Sequence, residues 1–132
     1  MMDQLELESR ILSELEESGE ENVPTIANTV FEPTGSPTEL SQLQQALEKL
    51  VEADFVRVAL GRDVTLRLTD LSKNESLSVI SNIRVHLVLK EASMHWTGGS
   101  QPWPEIVTTE IGKMKGRQIL EERGYQWWRQ KA

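Results

Sequence analysis

Residues 36–69 constrain the fold more than any other part of the chain. Ser36, Pro37 and Glu39 combine a helix N-cap, a first-turn proline and a capping-box acid, so a helix is predicted to begin there. Its apolar positions repeat with helical spacing. Two segments with period-two alternation then flank the tripeptide 61–63. We therefore expect a helix that continues directly into a β-hairpin.

Two more helices are predicted before this segment. Apolar residues with helical periodicity indicate a helix over residues 3–18, which Gly19 can end. A short helix over residues 23–31 follows, with Asn22 as its cap. The first half of the chain therefore reads as three helices and a hairpin.

The second half has weaker signals. Gly112 and Gly116, in the last helix, suggest a close approach of two backbones, which usually serves packing. The patterns predict a helix over 70–82, a strand over 83–89, a loop over 97–102, a strand over 105–109 and a last helix over 110–123.

The order of elements in the first half resembles a winged helix-turn-helix. The stretch LQQALEKLVEADFV (43–56) is similar to the end of the recognition helix and the first wing strand in bacterial transcriptional regulators of the MarR, ArsR and PadR kinds. LRLTD (66–70) resembles the exit from the wing in those families. The resemblance implies an α+β fold, a winged helix-turn-helix with a C-terminal helix and hairpin extension.

Two organisations are open for the second half. We expect residues 1–69 to form the winged-helix domain and residues 70–132 to form an α+β extension packed on it as one structural unit. However, residues 106–125 also look like a wing strand that continues into a final helix. The alternative is therefore an inserted hairpin.

The resemblance implies that the third helix enters the major groove of DNA. On its outer face, glutamine can pair with adenine, and serine or threonine can contact several bases. Glu48 and Glu52 share this face and oppose phosphate binding, so an ordinary solvated helix face is the other interpretation. The candidate base contacts are Thr38, Ser41, Gln42 and Gln45, with Lys49 placed towards a phosphate.

The hairpin supplies three further candidate DNA contacts, Arg57, Arg62 and Arg67. A register centred on Arg62 places Arg57 directly opposite Arg67 on the outer face. Like charges in that position destabilise a sheet unless an anion lies nearby. The arrangement therefore favours the interpretation that these arginines contact a DNA phosphate. Alternatively, the arginine stems cover apolar surface, and Asp63 or the N-terminal acids neutralise the charges.

Charge is distributed unevenly along the chain, whose net charge is -7. Residues 1–54 carry 13 acidic and 2 basic side chains, whereas residues 55–132 carry 8 acidic and 12 basic ones. A polyanion would be attracted only to the second part. Most of the N-terminal acids are interpreted as solvated helix faces, and the basic last helix has the same simple explanation.

Residues 110–130 carry more apolar surface than one docked helix needs. Bacterial winged-helix regulators usually dimerise, and aromatic residues are favoured at the centres of interfaces. We therefore predict a homodimer, although docking of the two tryptophans on the chain's own core is the alternative. The predicted interface comprises Met114, Ile119, Leu120, Tyr125, Trp127 and Trp128.

The sequence offers little support for an enzyme. It contains no cysteine, its two histidines lack metal-ligand spacing, and it has no phosphate-binding glycine loop, so no metal or cofactor is expected. No signal peptide and no apolar run of about eighteen residues is present, so no membrane contact and a cytoplasmic location are expected. The expected function is sequence-specific binding of double-stranded DNA by a transcriptional regulator. The alternatives are a winged-helix protein-interaction module without DNA binding and an accessory factor of a mobile element.

Overall fold

The computed structural model describes residues 3–30, 37–61, 67–90, 93–97 and 103–129. They form an α+β fold. The helices and strands are α1 (Gln4–Ser18), β1 (Glu21–Asn22), α2 (Val23–Val30), α3 (Pro37–Glu52), β2 (Val56–Gly61), β3 (Arg67–Asp70), α4 (Lys73–Ser81), β4 (Leu87–Lys90), β5 (Ser93–Trp96), β6 (Trp103–Thr108) and α5 (Glu110–Arg123). Two 3₁₀ helices, η1 (Ile83–His86) and η2 (Trp127–Arg129), complete the described structure.

The helix predictions that rest on local capping signals are confirmed. α1 begins after Asp3, whose carboxylate accepts a hydrogen bond from the Leu5 N–H (3.1 Å), and it ends at Gly19, which has a φ of +82°. The Asn22 side chain accepts from the Thr25 N–H (3.0 Å) at the start of α2. α5 spans the predicted residues 110–123. The predicted cap at Ser36 and most of the predicted loop at 97–102 lie outside the described residues.

The main sheet joins strands from both halves of the chain. Its order is β1-β6-β2-β3, with antiparallel pairing throughout. β6 pairs with β2 along its whole length, from Val56 opposite Thr108 to Gly61 opposite Trp103. Residues on both sides of position 69 therefore build one sheet. α4, η1 and the separate β4–β5 hairpin lie between β3 and β6 in the sequence.

The predicted strand at 83–89 is only half correct. Residues 83–86 form η1, and the extended strand begins at Leu87. The reason lies in the end of α4, where the chain continues to turn and the Val85 N–H bonds to the Asn82 carbonyl (3.3 Å). This turn buries Ile83, which is 1% exposed, in the core.

The predicted register of the hairpin is wrong. Arg57 lies opposite Val107 of β6, and Arg67 lies opposite Gly61. The two arginines are therefore not a cross-strand pair. β6 occupies one edge of β2 along its full length, and the pairing of β2 with β3 shifts register between Leu60 and Gly61.

The C-terminal residues complete the core of their own chain, which corrects part of the predicted dimer interface. Ile119, Trp127 and Trp128 are at most 9% exposed. Leu120 is partly buried against the same core, whereas Met114 and Tyr125 are each 66% exposed. The tryptophans are buried because α5 packs closely along α1 and the chain then turns back across that helix.

Candidate functional site

The outer face of α3 is the main polar surface that the sequence indicates as a binding site. The apolar positions of α3 point into the core, with Leu43, Leu47 and Leu50 at most 1% exposed. The opposite side presents Thr38, Gln45 and Lys49 as exposed residues, while Ser41 and Gln42 are half-buried. The structure thus brings all five predicted helix contacts to one side of α3.

Ser41 has a partner that sequence reasoning did not identify. The Arg84 guanidinium donates a hydrogen bond from Nη1 to the Ser41 Oγ (2.8 Å), and Arg84 itself is exposed. η1 carries Arg84 and packs beside α3. The residue lies 43 positions from Ser41, in a segment predicted to be a strand, so no local signal could have connected the two.

The other end of the α3 face borders α1. Gln4, Gln45, Glu48, Lys49 and Glu52 line a shallow open depression of about 170 Å³. The Gln4 Nε2 donates to the Gln42 carbonyl oxygen (3.5 Å). Lys49 therefore lies among carboxylates, which weakens the attraction of this end for a phosphate.

A further acidic side chain, Glu8 of α1, interacts electrostatically with Lys49 at this end of α3. Burial raises the pKa of Glu8, and the nearby Lys49 ammonium partly opposes that shift. The Lys49 charge is therefore close enough to α1 to influence a carboxyl on that helix.

Arg57, the first predicted wing contact, forms an ion pair within the chain. Its Nη2 lies 3.0 Å from the Asp54 Oδ1, and the Lys73 Nζ lies 3.2 Å from the same oxygen. Hydrogen bonds from Arg57 and Lys73 lower the pKa of Asp54. Arg62 and the Arg67 side chain lie outside the described residues. The phosphate interpretation of the wing therefore loses its support from Arg57.

The basic side chains of the C-terminal region bind the acidic face of α1. Arg123 pairs with Glu6 (3.0 Å) and also lies over the Trp127 ring, with its Cζ 3.4 Å from the ring centroid. Two further pairs join Arg117 to Glu16 (3.3 Å) and Arg129 to Glu14 (2.9 Å). The interpretation of these α1 acids as merely solvated is therefore incorrect. They pair with three of the cations that the sequence offered to a polyanion.

A second cleft lies between the end of α1, β6 and the start of α5. It encloses about 290 Å³ and is lined in part by Leu15, Glu16, Val107 and Lys113. Two of its charged side chains form ion pairs inside the chain, Glu16 with Arg117 (3.3 Å) and Lys113 with Glu110 (3.9 Å). These pairs leave the cleft with weak electrostatic selectivity for a ligand.

The described residues hold no group of three or more histidine, aspartate or glutamate side chains suited to a metal ion. In the same ranges, no helix is both long and apolar enough to cross a lipid bilayer. Comparison of the chain with models of protein families, with curated proteins and with solved structures finds no match.

Proposed function

We propose that this chain is a DNA-binding transcriptional regulator of the winged-helix kind, and that α3 provides its recognition surface. One contact supports the proposal most directly. Arg84 is held against Ser41, so α3 presents exposed polar side chains beside a positioned guanidinium. Ser41 accepts from Arg84 and keeps its own hydroxyl hydrogen for an acceptor on a base.

The positions of the charges suggest a division of roles. Ser41 and Lys49 are eight residues apart, which corresponds to about 12 Å along a helix. Arg84 and Lys49 could then bind phosphates at separate points, while Thr38 and Gln45 reach base edges between them. Glu48 and Glu52 limit non-specific attraction, so the proposal requires binding to depend on DNA sequence.

The first test of the proposal is the selection of DNA sequences from a random duplex pool, followed by anisotropy titrations at two salt concentrations. The charge reversals Lys49→Glu and Arg84→Glu should weaken binding to a selected duplex. Each lost phosphate contact should lower the slope of log affinity against log salt by about 0.9. Lys115→Glu is the matched control, since Lys115 is exposed on α5.

The outcomes separate three cases. If only the two α3-side variants lose affinity, the proposed surface binds DNA. If Lys115→Glu weakens binding equally, the attraction is general and α3 has no special role. If the pool yields no enriched sequence and binding is undetectable at low salt, the DNA proposal fails.

A second candidate is a winged-helix module that binds protein rather than DNA. The observation that favours it is that Asp54 and the α1 acids form ion pairs with four arginines, Arg57, Arg117, Arg123 and Arg129. A chain of net charge -7 with these cations occupied repels polyanions over much of its surface. Failure of the DNA titrations with an intact fold would favour this candidate.

The proposed regulator would act as a homodimer on a two-fold operator. Within the predicted interface region, the outer side of α5 stays exposed, with Ile111 at 50% and Met114, one turn later, at 66%. Light scattering at tens of micromolar protein tests this contact. Met114→Asp should convert a dimer to a monomer without loss of fold, whereas a monomeric parent protein would contradict the proposed assembly.

A further inference from the structure

The two strands of the β4–β5 hairpin direct alternate backbone groups away from each other. The Thr97 N–H bonds to the His86 carbonyl oxygen (2.9 Å), so these two residues form a hydrogen-bonded pair between the two sides of the hairpin. Hydrogen-bonded and non-hydrogen-bonded pairs alternate along an antiparallel ladder. Leu89 lies opposite Met94, an odd number of positions further along, and the two residues are therefore a non-hydrogen-bonded pair. Their N–H and C=O groups point outward, to the two edges of the hairpin.

One of these edges is closed and the other is open. On the β5 edge, the Asn28 side chain donates to the Met94 carbonyl oxygen (3.0 Å) and accepts from the Met94 N–H (2.8 Å). On the other edge, the described part of the chain has no strand that pairs with β4 apart from β5. The Leu89 N–H and C=O groups, together with the Leu87 carbonyl oxygen, therefore form a strand edge to which an extended segment can bind.

The two faces of the hairpin differ in polarity. On the inner face, Leu87 is 5% exposed and Met94 is 1% exposed, and Leu89 lies partly buried against the same core. Side chains alternate between the faces along a strand, so a strand added beside β4 would continue both faces. Its inward side chains would meet leucines, and its outward side chains would meet the exposed residues of the outer face. These exposed residues are Val88, Lys90 and His95.

The outer face is basic and has no counter-charge in a salt bridge among the described residues. Neither Lys90 nor His95, nor His86 directly before β4, forms a salt bridge within those ranges. Two arginines of α5, by contrast, pair with acids of α1. An ammonium group donates hydrogen bonds to carboxylates, and so does an imidazole N–H group. The outer face of the hairpin is therefore complementary to acidic side chains.

We propose that the open edge of β4 binds an extended acidic peptide of a partner protein as an additional strand. The peptide residues that bond to Leu87 and Leu89 would direct apolar side chains towards the core. The residues between them would direct carboxylates to the outer face, beside Lys90. The favoured ligand is thus a segment in which acidic and apolar residues alternate. This interaction does not require DNA binding by α3, so either can fail without the other.

Two other occupants suit this edge less well. Symmetric pairing of two copies of the chain about Val88 would place Lys90 of one copy opposite His86 of the other. Two basic residues in that position cannot neutralise each other, whereas cross-strand pairs of opposite charge stabilise a sheet. A DNA backbone offers acceptors but no donor, so it cannot satisfy both the N–H and the C=O group of Leu89.

The test is amide hydrogen exchange of the full chain, followed by ¹H–¹⁵N NMR, with a short capped peptide of alternating valine and glutamate. In the free protein, the Leu89 amide should exchange faster than the Val88 amide, which faces β5. With the peptide at about ten times its dissociation constant, exchange at Leu89 should slow by about tenfold, because only the free fraction remains open.

Two altered peptides separate the charge from the strand pairing. A peptide with lysine in place of glutamate has the wrong charge for the outer face and should not protect Leu89. A valine–glutamate peptide that is N-methylated at its valines keeps its charge but lacks the N–H groups that would face β4, and it should also fail.

A charge reversal in the protein tests the outer face directly. Lys90→Glu should weaken binding of the valine–glutamate peptide by about threefold or more and should improve binding of the lysine peptide, because a cross-strand attraction becomes a repulsion. Lys115→Glu is the matched control, since Lys115 is exposed on α5, and it should leave both affinities unchanged. The peptide comparisons on the parent protein remain decisive if Lys90→Glu does not fold.

Four results would overturn the proposal. The first is a Leu89 amide that is already protected in the free protein at low concentration, and the second is equal protection by the acidic, lysine and N-methylated peptides. Protection at Leu89 that increases with protein concentration alone would assign the edge to a second copy. Perturbation of Lys90 and His95 by duplex DNA, with no response to the acidic peptide, would assign the outer face to phosphate.

Discussion

Gly112 of α5 packs against the backbone carbonyl of Phe55 so closely that a Cβ atom at Gly112 would overlap the carbonyl oxygen. This carbonyl cannot easily move away. It accepts a hydrogen bond from the Thr109 N–H (3.0 Å), and the Phe55 N–H in turn bonds to the Leu50 carbonyl oxygen (3.0 Å). The contact fixes the start of α5 against the turn between α3 and β2.

Gly112→Ala should therefore destabilise the protein. In an unconstrained helix this change would stabilise by about 1 kcal/mol, because alanine favours the helical backbone. Here, the added methyl group would overpack against Phe55, so we expect the substitution to lower the free energy of unfolding by about 1–3 kcal/mol instead. Urea unfolding measures the difference. Gln118→Ala, at an exposed position of the same helix, serves as control and should stay within about 0.5 kcal/mol of the parent. A Gly112→Ala protein as stable as the parent would show that α5 does not approach Phe55 this closely.

Local signals in the sequence were sufficient for several elements of this fold. α5 has the limits predicted from the sequence and ends at Gly124, a residue type that commonly terminates helices. In the structure the Thr109 side chain caps its start. The pair Gly112 and Gly116 also indicated a close backbone approach. Gly116 meets α1, where an added Cβ would lie 2.8 Å from the Leu12 carbonyl oxygen.

Long-range pairing was not predictable in the same way. The central position of β6 depends on hydrogen bonds between residues about fifty positions apart, and an alternating pattern does not specify which strand becomes its neighbour. The contact of Arg84 with Ser41 and the ion pairs of α1 with the C-terminal arginines have the same origin. Each joins residues that only the complete fold brings together, so the sequence indicated their charges and left their partners undetermined.

Asn28 should be essential for the position of the β4–β5 hairpin. Its side-chain amide donates to the Met94 carbonyl oxygen (3.0 Å) and accepts from the Met94 N–H (2.8 Å), in the manner of a neighbouring strand. Asn28→Ala leaves two backbone groups of a 1% exposed residue without these partners. We expect a loss of about 1–3 kcal/mol in the free energy of unfolding and faster hydrogen exchange at the Met94 amide. Asn74→Ala, at an exposed position of α4, should change neither quantity appreciably. Unchanged exchange at Met94 in Asn28→Ala would contradict this role.

Truncation after Gly124 should destabilise the monomer itself. The deletion removes Trp127 and Trp128, which are 9% and 7% exposed, from the core. Loss of even one buried tryptophan side chain costs about 3–5 kcal/mol. Thermal unfolding at several protein concentrations distinguishes this effect from loss of a dimer contact. We expect a lower Tm for the truncated chain at every concentration, whereas a deficit that depends on concentration would assign the tryptophans to a subunit interface.

Arg123→Gln should reduce stability at neutral pH more than at acid pH. Burial by itself raises the pKa of Glu6, but hydrogen bonds from Arg123 and Arg10 outweigh it and lower that pKa overall. Because the folded chain has the lower pKa, this contribution to stability is present above the ordinary carboxyl value of 4.5 and is lost as the pH falls through the folded pKa.

The deficit of Arg123→Gln at pH 7 should be at most about 1 kcal/mol for the ion pair, because both side chains reach solvent. Arg123→Gln also removes the contact of the guanidinium with the Trp127 ring. The stability lost with this contact does not depend on the ionisation of Glu6. Urea unfolding of Arg123→Gln, Glu6→Gln and the double variant, at pH 7 and at about pH 3, separates the contribution of the ion pair from that of the Trp127 contact. Lys115→Gln is the control, since Lys115 is exposed on the same helix. A deficit for Arg123→Gln that is equal at both pH values would mean that Glu6 contributes nothing to the docking of α5 on α1.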